Sequence, residues 1–173
     1  MEFKTQARYA LETSRWFTER ILENFTEDDH WFYQVHPRAN HALWIVAHLG
    51  LADNMFASRF REDQASKPEG WDELFWFGSE LKDDRSAYPS ADDVLAYFRE
   101  RREVLLDVLD NVTYEELSAE GPPKDAPSPI AGAPSIGHLF LFCARHESIH
   151  AGQLTVAHRG LGNAPMFAPK SEA

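Results

Sequence analysis

Apolar residues recur at spacings of three and four in four long stretches of the chain, the signature of helices that bury one face. The first runs from about Phe3 to Asn24, where Tyr9, Leu11, Trp16, Phe17, Ile21 and Leu22 alternate with Glu and Arg. Thr26-Glu27-Asp28-Asp29 then reads as a cap and an acidic first turn, a short helical piece. Val35-His36-Pro37-Arg38 is a break, because proline restricts the residue before it. The second long helix is expected from near Asn40 to about Glu62, with a broad apolar face of Leu43, Trp44, Val46, Ala47, Leu51, Met55, Phe56 and Phe60. The third follows the cap-like Ser90-Ala91-Asp92-Asp93 and carries Val94, Leu95, Tyr97, Phe98, Val104, Leu105, Val108 and Leu109 to about Asp110. Thr113–Leu117 supplies one further turn. The Pro/Gly-rich stretch from Gly121 to Pro134 cannot be a long helix. Ser135 is the expected N-cap of the fourth helix, which runs to about Arg159 before Gly160-Leu161-Gly162 stops it.

Four helices of similar length, with no β-alternation and no internal repeat, predict an all-α chain folded as a four-helix bundle. Residues 63–90 stand apart. Lys67-Pro68-Glu69-Gly70 and Tyr88-Pro89-Ser90 punctuate them, and Trp71-Asp72-Glu73-Leu74-Phe75-Trp76-Phe77-Gly78 lies between. So aromatic a connection either plugs one end of the core or covers a substrate. At 173 residues one domain is expected, spanning 1–163, with 164–173 as a C-terminal tail.

Charge narrows the function classes. The formal net charge is −11, from 28 acidic and 17 scattered basic residues, which argues against nucleic acid as a partner. The single cysteine, Cys143, forms no intrachain disulfide. The polar N-terminus and the lack of a run of ~20 apolar residues point to a cytoplasmic protein that does not enter a membrane.

Candidate chemistry centres on Arg145-His146-Glu147-Ser148-Ile149-His150-Ala151-Gly152-Gln153-Leu154. On a helix, His146 and His150 lie one turn apart on one face, within reach of one metal ion. The letters also spell H-E-x-x-H, the zinc-protease string. That reading needs a third ligand downstream. Gln153 and Val156 stand where the extended motif wants Gly and His, His158 is rotated away, and the remaining carboxylate is the distant Glu172. Glu147 is therefore not read as a base; it is either exposed or paired with a neighbour. His48, mid-helix among apolar residues, completes a three-histidine cluster if the second and fourth helices face each other. Three histidines leave coordination positions open, as in catalytic zinc sites, and imidazole suits zinc, nickel, iron and copper alike. Spacing alone leaves open that the pair is accidental and that His48 is a hydrogen-bonded core residue. Around this centre, His41 could line the pocket mouth, and Asn40 and Trp44 fall at intervals of four with His48. Cys143 could point at the metal or be a buried, inert thiol. His138 is too far from His146 to share an ion.

Asn40-His41-Ala42-Leu43-Trp44-Ile45-Val46-Ala47-His48-Leu49, the later His146-x₃-His150-Ala151-Gly152-Gln153-Leu154, the following Arg159-Gly160-Leu161-Gly162 and the aromatic connection together resemble the DinB/YfiT-like superfamily of bacterial metal-binding proteins. The resemblance covers nearly the whole chain. It implies an up-down-down-up bundle with a crossover between the second and third long helices. It also implies that His48, His146 and His150 bind a divalent metal, commonly zinc or nickel, and that the protein forms a homodimer. Members of that superfamily include thiol-dependent S-transferases, an isomerase dependent on a low-molecular-weight thiol, and proteins described as metal-dependent hydrolases. The expected function is accordingly that of a metalloenzyme activating a thiol or water toward a small-molecule substrate. A metal-dependent hydrolase and a non-catalytic metal- or ligand-binding module are the alternatives. No residue is expected from the sequence to act as the catalytic base.

Overall fold

The computed structural model describes residues 2–128 and 130–167. All seven of their regular elements longer than a single turn of 3₁₀ helix are α-helices: α1 (Phe3–Leu22), α2 (Asp28–Trp31), α3 (Ala42–Ser58), α4 (Trp71–Phe75), α5 (Ala91–Asn111), α6 (Tyr114–Ser118) and α7 (His138–Gly160). Two 3₁₀ turns, Glu62–Gln64 and Arg85–Ala87, interrupt the connection between α3 and α5. The β-pairing among these residues is one isolated bridge between Glu120 and Ser135.

α3 is the central element. Fifteen of its seventeen residues are buried, so it is apolar all round rather than striped. It packs against α5 on one side and α7 on another, while α1 packs chiefly against α7 and also meets α5. Gly50 allows the closest approach: a Cβ there would lie 2.8 Å from Tyr97 Cδ1 and 3.2 Å from the Phe98 backbone. α5 buries Val94, Tyr97, Phe98, Arg101, Arg102, Leu105, Val108 and Leu109, a regular three-and-four spacing that includes two arginines.

Several boundaries and faces depart from the sequence expectations. α3 begins at Ala42, not Asn40, because His41 is its N-cap: the His41 Nδ1 accepts a hydrogen bond from the Trp44 N–H at 3.1 Å. It ends at Ser58, short of Glu62. α7 begins at His138; Ser135 is occupied in the bridge to Glu120 and does not cap the helix. In α1 the buried stripe is Ala7, Leu11, Ser14, Thr18, Ile21 and Leu22. Tyr9 and Trp16 face outward, 70% and 58% exposed, since small and polar residues are what the tight contact with α7 admits. Ser90 does cap α5, accepting from the Asp93 N–H, and Thr113 and Glu116 form a reciprocal capping box at α6. The 63–90 connection is structured: Trp71 and Phe75 of α4 and Tyr88 join the core around the N-terminal half of α3. Among the described residues no helix is long and apolar enough to cross a membrane. Glu172 and the end of the tail lie outside the described residues.

Candidate metal centre

α3 and α7 place His48 opposite His146 and His150. The Nε2 of His146 lies 3.3 Å from the Nε2 of His48 and 3.1 Å from the Nε2 of His150. One nitrogen from each ring falls within 4.8 Å of both others. Two nitrogens bound tetrahedrally at ~2.0–2.1 Å from one zinc would stand about 3.3 Å apart, so the spacing fits one ion.

The outer nitrogens fix the tautomers. The His48 Nδ1–H donates to the Phe75 carbonyl at 2.9 Å, and the His150 Nδ1–H donates to Gln153 Oε1 at 2.8 Å. Both Nε2 atoms therefore present bare lone pairs to the same space. This is the arrangement in which a second set of partners orients metal-binding imidazoles. Burial holds the rings neutral: the His48 pKa is lowered to about 4 and the His146 pKa to about 3, desolvation being the main cause and the neighbouring histidines adding to it. His150 is lowered for the same reason, and its bond to Gln153 opposes the shift. Neutral imidazoles with converging lone pairs can hold a divalent cation without first losing protons.

Aromatic rings stand against two of the three histidines. Trp44 stacks on His48 at 4.8 Å between ring centres, and Phe142 stacks on His146 at 5.5 Å. Trp76, from the segment after α4, stands 5.9 Å from His48. The Trp44 indole N–H donates to Ser79 Oγ at 2.9 Å, and that hydroxyl donates to the Leu74 carbonyl, which ties α3 to the aromatic connection.

The remaining residues singled out from the sequence are placed elsewhere. Asn40 precedes α3, so the interval of four that aligned it with Trp44 and His48 does not apply to it. His41 is buried between Phe32 and Tyr88, with ring centres at 5.0 and 5.1 Å, and its Nε2 is buried with no partner among the described residues. Cys143 packs in the other half of the core with Ala52, Phe56 and Phe140. Burial raises its pKa well above the ordinary thiol value, with Asp53 adding to the effect, and it is an inert thiol there.

Glu147 is paired, not exposed. It is fully buried, within reach of Arg15 from α1 and Arg102 from α5. Arg15 Nε donates to its Oε1 at 2.9 Å, and Arg102 Nη2 lies 2.5 Å from its Oε2. The same two guanidiniums bind Asp53, Arg15 at 2.9 Å and Arg102 at 2.9 and 3.1 Å. Their remaining N–H groups reach the Phe98 and Leu11 carbonyls. Burial would raise the Glu147 pKa, but Arg15 and Arg102 outweigh it and hold the carboxyl below its ordinary value. One residue from each long helix thus enters a cluster of two cations and two anions. Sequence reading missed it, although Arg102 occupies an apolar-stripe position four residues after Phe98 and three before Leu105.

The sequence model of the DinB superfamily matches residues 10–154, most of the chain and all three histidines. The protein belongs to the DinB superfamily. No curated protein and no solved structure matches it. Within this DinB-superfamily chain, the three-histidine cluster could hold a metal ion, while the H-E-x-x-H glutamate serves the core.

Proposed function

We propose that this protein is a divalent-metal-dependent enzyme of the DinB superfamily, with His48, His146 and His150 as ligands and zinc or nickel as the metal. The observation that carries the reading is the convergence of three Nε2 atoms, with the opposite nitrogens of two of the rings, His48 and His150, committed to Phe75 and Gln153. In the same reading the four long helices form an up-down-down-up bundle, and the protein is a cytoplasmic homodimer acting on a small molecule.

A bound divalent cation supplies Lewis acidity, lowering the pKa of a thiol or water that reaches it. Three protein ligands leave room for such a molecule. His48 and His150 are oriented by their Nδ1 bonds, while Trp44 and Trp76 cover His48, Phe142 lies against His146, and His146 and His150 keep part of their surface open. Glu147, the base that the H-E-x-x-H string offers, is held by two arginines on another side of α7. The same cation would lower the pKa of a bound water as well as of a thiol, so neither nucleophile needs Glu147 as a base; thiol S-transfer is the first reading and hydrolysis the second.

The test is a steady-state assay of zinc- and nickel-loaded protein with a low-molecular-weight thiol and a chromogenic electrophile, beside a chromogenic ester without thiol. Thiol-dependent consumption of the electrophile that disappears in His146→Ala is expected. Ester cleavage without thiol would replace transfer by hydrolysis. Tight metal binding with no turnover in either assay would make the protein a binding module.

A further inference from the structure

A recess adjoins the histidine cluster. It has a volume of about 370 Å³ and is lined in part by Leu51, Asn54, Met55, Lys67, Asp72 and Trp76. Leu51 and Met55 lie three and seven residues beyond His48, on the same side of α3. Trp76 belongs to both places, lining the recess with its ring centre 5.9 Å from that of His48.

The polar groups are arranged for a ligand. Asn54 is only 8% exposed. Its Oδ1 is fully engaged, accepting from the Ser66 N–H at 2.9 Å and from Arg101 Nη1 at 3.3 Å. Its amide N–H₂ makes no hydrogen bond within the described residues and is not sealed from solvent, so it is a donor still available in the recess. Ser66 brings the next residue, Lys67, to the same wall, where its ammonium pairs with Asp72. The recess thus offers an amide donor, a cation, an anion and an apolar surface of Leu51, Met55 and Trp76.

The geometry points to a binding site for a zwitterionic α-amino acid with an apolar side chain. The carboxylate takes the Asn54 amide and Lys67, the ammonium takes Asp72, and the side chain lies on Leu51, Met55 and Trp76. Lys67 and Asp72 already neutralise each other, so a lone carboxylate or amine adds a net charge beside them, whereas a zwitterion laid antiparallel to the pair gives every charge an opposite neighbour. That this recess serves the metal centre rests on the three-histidine reading. The binding itself does not.

Amino acids chelate zinc, so the test uses metal-free protein in the presence of a chelator. L-Leucine, 3-methylbutanoate and 3-methylbutylamine are titrated while the Trp76 indole N–H resonance, assigned with Trp76→Phe, is followed by NMR. Leucine is expected to shift that resonance and to bind at least tenfold more tightly than either singly charged fragment. Asn54→Asp keeps the acceptor for Ser66 and Arg101 but replaces the donor with negative charge; it is expected to weaken leucine at least tenfold while leaving the zinc Kd unchanged. Equal affinity for leucine and 3-methylbutanoate, no shift at Trp76, or unchanged leucine binding in Asn54→Asp would each overturn the proposal. His146→Ala separates the two readings: it should lose zinc and keep leucine. Wild-type protein that takes leucine but no zinc would refute the metal reading and leave this one standing.

Discussion

Replacing Glu147 by Gln tests how the buried ion cluster supports the site. The substitution keeps the side chain's size and one carbonyl acceptor but removes a negative charge from a group that is fully buried. Arg15 and Arg102 would then share Asp53 alone, two cations on one anion, with their other bonds going to backbone carbonyls. Removing one partner of a buried ion pair costs about 3–5 kcal/mol, because the remaining charge stays desolvated. Against a total stability of roughly 5–15 kcal/mol this is severe. For a chain of this size it lowers Tm by about 6–20 °C, at roughly 2–4 °C per kcal/mol. Urea denaturation followed by circular dichroism, with calorimetry beside it, measures the loss. Glu147→Gln should still take up the metal when folded, because Glu147 touches the arginines and not the imidazole nitrogens. A loss of less than about 1 kcal/mol would refute the account of the cluster. Unchanged stability with abolished activity would return Glu147 to the role of chemical base.

Further outcomes follow from the same geometry. Gln153→Leu removes the acceptor for the His150 Nδ1–H and should weaken zinc about 10–100-fold in a chelator-competition assay, with Tm of the metal-free protein little changed. Metal-free protein should lose stability as pH falls below 6.5, because unfolded histidines protonate while the folded ones stay neutral. For His48, the gap between 6.5 unfolded and about 4 folded corresponds to roughly 3 kcal/mol, present above pH 6.5 and lost by about pH 4, as urea midpoints across that range would show. Gly50→Ala drives a methyl into Tyr97 and the Phe98 backbone, and should cost about 1–3 kcal/mol in the same urea measurement.

Much of the helix content was legible because periodicity survives in α1, α5 and α7, because α3 is a long apolar run, and because Ser90 and Thr113 carry cap chemistry. The i, i+4 pair His146 and His150 was legible for the same reason, and His48 stood out as a polar residue in an apolar helix. Other features left weaker traces. The Phe75 carbonyl orients His48, but a backbone acceptor has no side-chain signature. Tyr9 and Trp16 read as core because they are large and apolar, yet the α1–α7 contact selects Ala7, Ser14 and Thr18 instead. Asp53, Arg15 and Arg102 were hidden because a charge on an apolar stripe reads as noise until its counter-charge on another helix is known. Asn40 was misplaced by two residues of helix boundary, where His41 takes the cap.

The central claim is that His48, His146 and His150 together hold one divalent metal ion. Elemental analysis of protein expressed without a histidine tag, beside His146→Ala with matching circular dichroism, tests it most directly. The account predicts about one equivalent of zinc or nickel per chain in the wild type and none in the variant. A folded wild type that takes up no metal, or a variant that retains it, would contradict the account.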